Sequence, residues 1–163
     1  MNLRPLSLIA GLLLLAACAQ TPKDSGNTGG GGSGGGGSAT TNAPAPGSKE
    51  EFATIVGDRV FFDYDKSVIK PEGRTTLQHQ ADWLKKYPNF TISIEGHCDE
   101  RGTREYNLAL GERRATAVRN ALVALGIPAN RLKTISYGKE RPAVLGSNDA
   151  AWAQNRRGVT VLN

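Results

Sequence analysis

Four segments of the chain have the hydrophobic pattern of strands. The run 59–65 is short, apolar and ends in acidic residues, which predicts a buried strand. In 90–97 apolar and polar side chains alternate, so one face of that strand should be packed and the other more polar. Two later segments, 131–138 and 156–163, complete the set of predicted strands.

Helical patterns separate these strands. Residues 70–87 carry an apolar stripe and have Pro71 at a position suited to the first turn of a helix. The longer segment 103–125 carries a second stripe and should stop at Gly126, while 148–155 is a short helix or turn. The order βαβαβ(α)β predicts an α/β (α+β) domain of two layers, with the helices on one face of a mixed four-stranded sheet.

The N-terminus has the pattern of a secretory signal. Arg4 precedes an apolar run over 6–17, which is too short for a bilayer span of about 20 apolar residues. The run ends in Leu-Ala-Ala-Cys, with Cys18 at the cleavage edge. This ending resembles the lipobox of bacterial lipoproteins, which implies a signal peptide over 1–17 and a lipidated Cys18. Residue 19 is alanine rather than aspartate, which by the same resemblance favours export to the outer membrane.

Composition divides the rest of the chain into two parts. Residues 18–48 are rich in Gly, Ser, Thr and Pro, so they cannot bury enough apolar surface to fold and are predicted to form a flexible linker. The folded domain is therefore expected at 49–163. The 163 residues carry a formal charge of +5. A basic excess can indicate a nucleic-acid partner, but the export signal argues against one.

The segment GHCDERGTREYN, residues 96–107, concentrates the candidate chemistry. A metal site is not favoured, because His97 and Cys98 are adjacent, point to opposite faces of an extended strand and have no spaced second pair of ligands. Nucleophilic catalysis is not favoured either, because no base can be placed beside Cys98. We therefore predict no metal, no cofactor and no catalytic residue. Cys98 is expected to be a small, partly buried residue at a strand end.

The same segment could instead recognise a charged ligand. Asp99 and Glu100 directly follow a strand. The next helix carries further polar candidates: Arg104, Asn107, Arg113 and Arg114. Asn107 and Arg114 are seven positions apart in the sequence and can share a helix face. An acid and an arginine that flank one cleft would suit a zwitterion, with the acid facing an ammonium and the arginine a carboxylate. The spacing leaves a purely structural ion pair equally open.

Three segments resemble one known family. Residues 94–122, IEGHCDERGTREYNLALGERRATAVRNAL, resemble the peptidoglycan-binding motif of OmpA-like domains, and ISYGKERPAV (135–144) and NRRGVTVLN (155–163) are similar to later parts of that domain. With the lipobox and the linker, they resemble the peptidoglycan-associated lipoproteins of Gram-negative envelopes. The resemblance covers nearly all of 59–163 and therefore adds a ligand and a location to the predicted fold.

The resemblance implies a binding site for the meso-diaminopimelate of the peptidoglycan stem peptide, held without covalent chemistry. The acid at the strand end corresponds to Asp99, and the carboxylate-binding arginine corresponds to Arg114. The site residues that the family motif implies are Asp65, Asp99, Tyr106, Asn107 and Arg114. Two positions depart from the family pattern: Cys98, where Thr or Ala is frequent, and Gly111, where Ser is frequent. A glycine at that helical position weakens the helix by about 1 kcal/mol relative to alanine.

The resemblance also implies partners and a location. The protein is expected at the outer membrane, held by its lipid anchor, with the domain facing the periplasm. Its expected partners are peptidoglycan, TolB and other Tol proteins of a trans-envelope system that acts in envelope integrity and cell division. Two alternatives stay open: a wall-modifying enzyme, which would need a paired acid–base set or a zinc site, and a surface scaffold without a ligand.

Overall fold

The computed structural model describes residues 43–163. The predicted signal peptide 1–17, the predicted lipidation of Cys18 and most of the predicted linker 18–48 lie outside the described residues. Within the described part, no helix is both long enough and apolar enough to cross a membrane. The elements in chain order are α1 (Lys49–Glu51), which continues as a π-helical segment (Phe52–Gly57), β1 (Arg59–Phe61), α2 (Pro71–Lys86), β2 (Ile92–His97), α3 (Arg104–Ala124), a 3-10 turn (Ala129–Arg131), β3 (Leu132–Gly138), α4 (Asp149–Asn155) and β4 (Arg157–Leu162).

The strands form one mixed sheet in the order β1-β4-β2-β3. Strands β2 and β3 run parallel, and α3 makes the crossover that a parallel pair requires. Strand β4 runs antiparallel to both β1 and β2, so the last strand in sequence lies inside the sheet. The predicted α+β class with a mixed four-stranded sheet is therefore confirmed.

The core lies between one face of this sheet and the two long helices. Both helices contact the same face, because Gln80 of α2 accepts a hydrogen bond from Thr160 and Gly111 of α3 lies against Gly96. Each fully buried Leu, Ile or Val side chain stabilises the fold by about 1.5–3 kcal/mol relative to leaving it exposed. Most of the positions that the periodicity predicts to be packed are buried: Leu77, Ala81, Leu84, Ile92, Ile94, Leu110, Val118 and Leu122. The others are only partly buried: Phe90, Ala117, Ala121 and Leu125.

The predicted helix ends are close to those observed. Pro71 is the first residue of α2, and Thr103 caps α3, where its hydroxyl accepts a hydrogen bond from the Tyr106 N–H. Gly126 has a φ of 93°, a left-handed conformation that favours glycine, directly after α3. These local signals set the length of α3 and hence the position of its first turn beside the end of β2.

The short helix α1 was not foreseen from the sequence. Ser48 caps it by accepting a hydrogen bond from the Glu51 N–H at 3.0 Å, while the Glu51 carboxylate accepts one from the Gly47 N–H at 2.7 Å. The same carboxylate accepts a bond from Trp83 Nε1 at 2.8 Å, which ties α1 to α2. A serine followed three residues later by glutamate is the signature of such a start, so the signal was present.

The predicted strand 59–65 is too long. Strand β1 ends at Phe61, and the chain then turns, with the Lys66 N–H donating to the Asp63 carbonyl at 3.2 Å. Asp65 has a φ of 56°, a conformation that aspartate tolerates better than most residues. The apolar run therefore continues only to buried Phe62, and the acids after it belong to a turn.

Two glycines let α3 approach the sheet closely. A Cβ on Gly96 would lie 1.8 Å from the carbonyl oxygen of Gly111. A Cβ on Gly111 would lie 2.3 Å from Ser136 Oγ and 2.9 Å from the Gly96 oxygen. The sequence predicted only that Gly111 weakens the helix, whereas the structure shows that it permits this contact. The contact holds the N-terminal half of α3 against the end of β2.

Candidate functional site

A pocket of about 190 Å³ lies where β2 ends and α3 begins. Its walls come from the turn after β1, the loop between β2 and α3, and the first turns of α3. Every binding residue implied by the family motif borders it: Asp65, Asp99, Tyr106, Asn107 and Arg114. The structure thus brings these residues together from separate segments, and their role in binding stays a prediction.

Arg114 is held in one orientation by backbone carbonyls. Its side chain is 0 % exposed, and its guanidinium carbon lies 5.3 Å from the centre of the Phe62 ring. Nε donates to the carbonyl of Lys66 at 2.9 Å. The terminal nitrogens Nη1 and Nη2 donate to the carbonyls of His97 at 2.8 Å and Asp63 at 3.1 Å. These bonds join α3, the end of β2 and the turn after β1.

The charge of Arg114 has no carboxylate partner among the residues that the structure describes. Burial lowers the pKa of the guanidinium, as expected for a cation removed from water. Each terminal nitrogen donates one of its two N–H groups to a carbonyl. The Cys98 thiol lies beside the guanidinium and can engage at most one of the two N–H groups that remain. A buried guanidinium with spare donors beside a pocket can bind a carboxylate in a two-pronged manner.

Asp99 has the opposite character, because its charge is already compensated. Its carboxylate is 4 % exposed, and Oδ1 accepts from both the backbone N–H and Nε of Arg101 at 3.2 Å. Oδ2 accepts from Arg101 Nη2 at 2.6 Å and from Arg156 Nη1 at 3.3 Å. Burial raises the pKa of Asp99, but the hydrogen bonds from both arginines outweigh it and hold the pKa below its usual value.

Arg101 lies between two aromatic rings. Its guanidinium carbon is 4.0 Å from the ring centre of Tyr64 and also 4.0 Å from that of Trp152. Trp152 belongs to α4, and its indole N–H donates to Glu100 Oε1 at 3.0 Å. Helix α4 therefore covers the loop after β2, and Asp99 is closed off on this side by Arg101.

Asp65 is the carboxylate with the freer oxygens. It accepts a hydrogen bond from the Tyr106 hydroxyl, and it forms no ion pair with a basic side chain of the described part of the chain. That hydrogen bond is the main cause that raises the pKa of Tyr106. The guanidinium carbon of Arg113 lies 5.8 Å from the centre of the Tyr106 ring. Asp65 and Tyr106 thus form the outer rim of the pocket.

Asn107 and Cys98 brace the loop rather than offer free ligand groups. Asn107 is 2 % exposed, and its amide donates to the carbonyls of Arg101 at 2.7 Å and Thr103 at 3.1 Å. The Cys98 thiol donates to the Asn107 carbonyl at 3.3 Å. Burial raises the pKa of Cys98, which keeps the thiol protonated and unreactive. Cys98 is buried, so it packs more deeply than the sequence predicted.

His97 lies on the other face of the sheet, beside Glu95 and Tyr137. Its imidazole is 2 % exposed, and Nδ1 has no hydrogen-bond partner within residues 43–163. Burial, and next the charge of Arg157, lower the pKa of His97 to about 4. Residues 43–163 contain no group of His, Cys, Asp and Glu side chains arranged to hold a metal ion.

A larger groove of about 480 Å³ lies between α2 and α3. Its lining is mainly apolar, with Val68, Leu77 and Leu125 among its residues, and Arg74 is its charged member. It lacks the pairing of acids with a buried arginine that the smaller pocket has. The smaller pocket is therefore the candidate functional site.

Sequence reasoning missed the residues that surround Asp99. Arg101 lies inside the segment 96–107 and Arg156 inside the segment NRRGVTVLN, but neither the spacing nor the family resemblance predicts a role for them. Tyr64 precedes a predicted site residue, so its position was available as a signal. Nothing in the local pattern indicated that α4 would bring Trp152 to the loop, because that contact spans 51 residues of sequence between Arg101 and Trp152.

Comparison with known proteins places these features in a family. The model of the OmpA family matches residues 61–156, which include the whole pocket. The chain is 58% identical over 121 residues to the peptidoglycan-associated lipoprotein of Brucella melitensis, covering 74% of this chain and 72% of the relative. It is 50% identical over 157 residues to that of Mesorhizobium japonicum, covering 95% and 89%.

A solved structure agrees with these sequence matches. The crystal structure of the peptidoglycan-associated lipoprotein from Burkholderia pseudomallei has 43% sequence identity and a TM-score of 0.65, covering 68% of this chain and 96% of that one. The chain therefore belongs to the OmpA family. Within that family it is a member of the peptidoglycan-associated lipoproteins, which confirms the resemblance seen in the sequence.

Proposed function

We propose that this protein is an outer-membrane lipoprotein that binds peptidoglycan without covalent chemistry, through the diaminopimelate of the stem peptide. The observation that carries the proposal is the state of Arg114. Its guanidinium is 0 % exposed, has no carboxylate partner among the described residues and lines a pocket that also contains acids. An uncompensated buried cation is costly, and a bound carboxylate would compensate it.

The chemistry of diaminopimelate fits such a pocket. Beyond its peptide links this amino acid presents an ammonium and a carboxylate on one carbon. Arg114 would take the carboxylate, and Asp99 and Asp65 supply negative charge for the ammonium. Lysine has no distal carboxylate and would leave the guanidinium unpaired. An unsatisfied buried donor costs about 1–3 kcal/mol, so this one difference can select the stem peptide.

Binding is favoured over catalysis as the activity of the pocket. The Cys98 thiol is buried with a raised pKa, and the His97 imidazole lies on the opposite face of the sheet, so neither can activate a nucleophile in the pocket. The names of the relatives also point to association with peptidoglycan. A wall-modifying enzyme and a scaffold without a ligand are the alternative functions.

The tethering role extends the proposal to the whole chain. Lipidation of Cys18 would hold the protein in the outer membrane, the segment 18–48 would span the gap, and the domain would grip the wall from the periplasm. TolB and other Tol proteins are the proposed partners, in a system serving envelope integrity and cell division. These points rest on the N-terminal sequence and on family membership.

Calorimetry with two synthetic stem peptides, which differ only in diaminopimelate or lysine, tests the site. We expect the wild-type protein to bind the diaminopimelate peptide at least tenfold more tightly, about 1.4 kcal/mol. Arg114→Ala and Asp99→Ala should each weaken that binding by a similar factor. Equal affinity for both peptides, or undiminished affinity in folded variants, would leave the acids and Arg114 as structural groups only.

Sedimentation with purified sacculi separates the classes of function. A binder sediments with intact sacculi, an enzyme releases soluble wall fragments, and a scaffold does neither. We expect sedimentation without release of fragments. Release of fragments by the wild-type protein would replace the proposal with the enzyme alternative.

A further inference from the structure

The ammonium subsite at Asp99 is occupied by a side chain of the protein itself. A carboxylate oxygen offers roughly two lone-pair positions. Both oxygens of Asp99 already accept two hydrogen bonds each, from Arg101 and Arg156. An incoming ammonium would therefore find no free acceptor on Asp99 unless one of these donors leaves.

Of the two arginines, Arg101 is the one that can leave. Arg156 is only 16% exposed in its side chain, and its Nε also donates to the Phe62 carbonyl at 3.0 Å. The Arg101 side chain is 32% exposed, and in the part of the chain that the structure describes its side-chain hydrogen bonds go to Asp99 alone. Once it releases Asp99, only the stacking on Tyr64 and Trp152 holds it, and cation–π contacts at partly exposed sites contribute about 0.5–1 kcal/mol each.

Electrostatics also favour a ligand ammonium that replaces the Arg101 guanidinium over one that binds beside it. In the free state Arg101, Arg114 and Arg156 all lie around Asp99. Adding an ammonium to that cluster would place another cation among them. Replacing the Arg101 guanidinium by the ammonium leaves the charge at Asp99 unchanged, and the ligand carboxylate then compensates Arg114.

We propose that Arg101 is a displaceable latch, which occupies Asp99 in the free protein and is replaced by the ammonium of the ligand. The proposal rests on the proposed function, because it assumes that a zwitterion enters this pocket. Arg101 is then a positioning and specificity-determining residue: a ligand without an ammonium cannot release the latch. The latch also lowers the apparent affinity, since only the fraction of molecules with an open latch can bind.

The first test measures affinity and association rate with Arg101→Gln in the full-length protein, purified in detergent, using the diaminopimelate stem peptide. If the latch is open in about a tenth of the molecules, its removal should tighten binding about tenfold, mostly through faster association. Arg104→Gln is the matched control, because Arg104 pairs with Glu140 and does not line the pocket. The control should bind as the wild type does.

A second variant and a spectroscopic signal guard against misfolding of Arg101→Gln. Trp152→Leu removes one stacking surface but retains the charge of Arg101, so it should tighten binding by a smaller factor. In the wild type, saturation with peptide should shift the NMR signal of the Trp152 indole N–H, because the stacked guanidinium departs. The Trp83 indole, which is bonded to Glu51, serves as an internal reference and should not move.

The outcomes distinguish the latch from the proposed function. Equal or weaker binding by folded Arg101→Gln overturns the latch while leaving the pocket function intact, and so does an unmoved Trp152 signal at saturation. Absence of any binding by the wild type, with Arg114→Ala behaving identically, removes the proposed function and the latch together.

Discussion

Two arginines at opposite ends of β2 make the same pattern of hydrogen bonds. Arg114 donates from all three guanidinium nitrogens to backbone carbonyls near the end of β2. Arg131 does the same near its beginning, donating to the carbonyls of Leu84 at 3.1 Å, Tyr87 at 3.3 Å and Phe90 at 3.0 Å. Burial lowers the pKa of both guanidinium groups. By hydrogen bonds alone, both are braces of the fold.

What separates the two ends is the surroundings of each guanidinium. Arg114 is completely buried and borders a pocket that also holds Asp65 and Asp99. Arg131 is only partly buried and joins the end of α2 to the start of β2, where Trp83 lies 4.5 Å from Tyr87 and 5.6 Å from Phe90 between ring centres. A carbonyl-bonded arginine is therefore not a site in itself. Arg114 differs from Arg131 because it has unused N–H donors beside a pocket that contains acidic residues.

The largest effect should come from Gly96→Ala, which disturbs the packing of α3 on β2 near Arg114. The new Cβ would lie 1.8 Å from the Gly111 backbone oxygen, so α3 must move away from the sheet. We expect a loss of about 3 kcal/mol in the free energy of unfolding, measured by urea denaturation. Gly111→Ala should lose less, about 1–2 kcal/mol, because its clash with backbone, at 2.9 Å from the Gly96 oxygen, is milder and alanine favours the helix. Equal losses would contradict this geometry.

Lowering the pH should reduce the stability of the fold around Arg114, because His97 becomes protonated. The His97 carbonyl accepts a hydrogen bond from Arg114, and its imidazole is buried. The folded pKa of about 4 lies below the ordinary value of 6.5, so the unfolded chain binds the extra proton first. Stability is therefore full above pH 6.5 and falls as the pH drops toward 4, by an amount of the order of 2 kcal/mol.

Unfolding curves between pH 7 and pH 4 check this dependence. His97→Asn should flatten the slope, whatever its effect on absolute stability. His79→Asn, at an exposed position of α2, is the matched control and should keep the wild-type slope. A wild-type slope in His97→Asn would assign the acid effect to other groups.

The most direct test of the comparison replaces each arginine by alanine. Both variants lose hydrogen bonds that a charged group donates to carbonyls, so both should have lower melting temperatures. Only Arg114→Ala should also lose affinity for the diaminopimelate peptide per folded molecule, by at least tenfold, or about 1.4 kcal/mol. Comparable affinity losses in both variants would mean that binding responds to stability and not to the pocket.

The smallest effect is expected at the rim, from Tyr106→Phe. The Tyr106 ring is 45% exposed, and its hydroxyl only orients Asp65. We expect a change of less than about 0.5 kcal/mol in stability, as for most surface substitutions. Affinity should fall about twofold, measured by the same calorimetry. A tenfold loss of affinity would show that the ligand ammonium contacts Asp65 at the rim and not Asp99.

Much of the fold was available from local pattern. The alternation in 90–97 and the stripe that includes Leu77 and Leu84 identified the core faces correctly, because burial of apolar side chains follows the period of each element. Thr103 and Gly126 marked the ends of α3 for equally local reasons. The family motif supplied the residues that border the pocket.

The tertiary structure decided which polar groups meet. Arg114 takes its carbonyls from Lys66 and Asp63, which are 48 and 51 residues away, and Arg156 reaches Asp99 across 57 residues. The position of β4 inside the sheet and the stacking of Trp152 on Arg101 also depend on tertiary packing. Hydrophobic periodicity fixes the face on which a residue lies, because that depends only on its neighbours in sequence. The partner of a buried charge depends on how whole elements pack. No local pattern could therefore reveal that, among the described residues, Asp99 already has charged partners while Arg114 has no carboxylate partner.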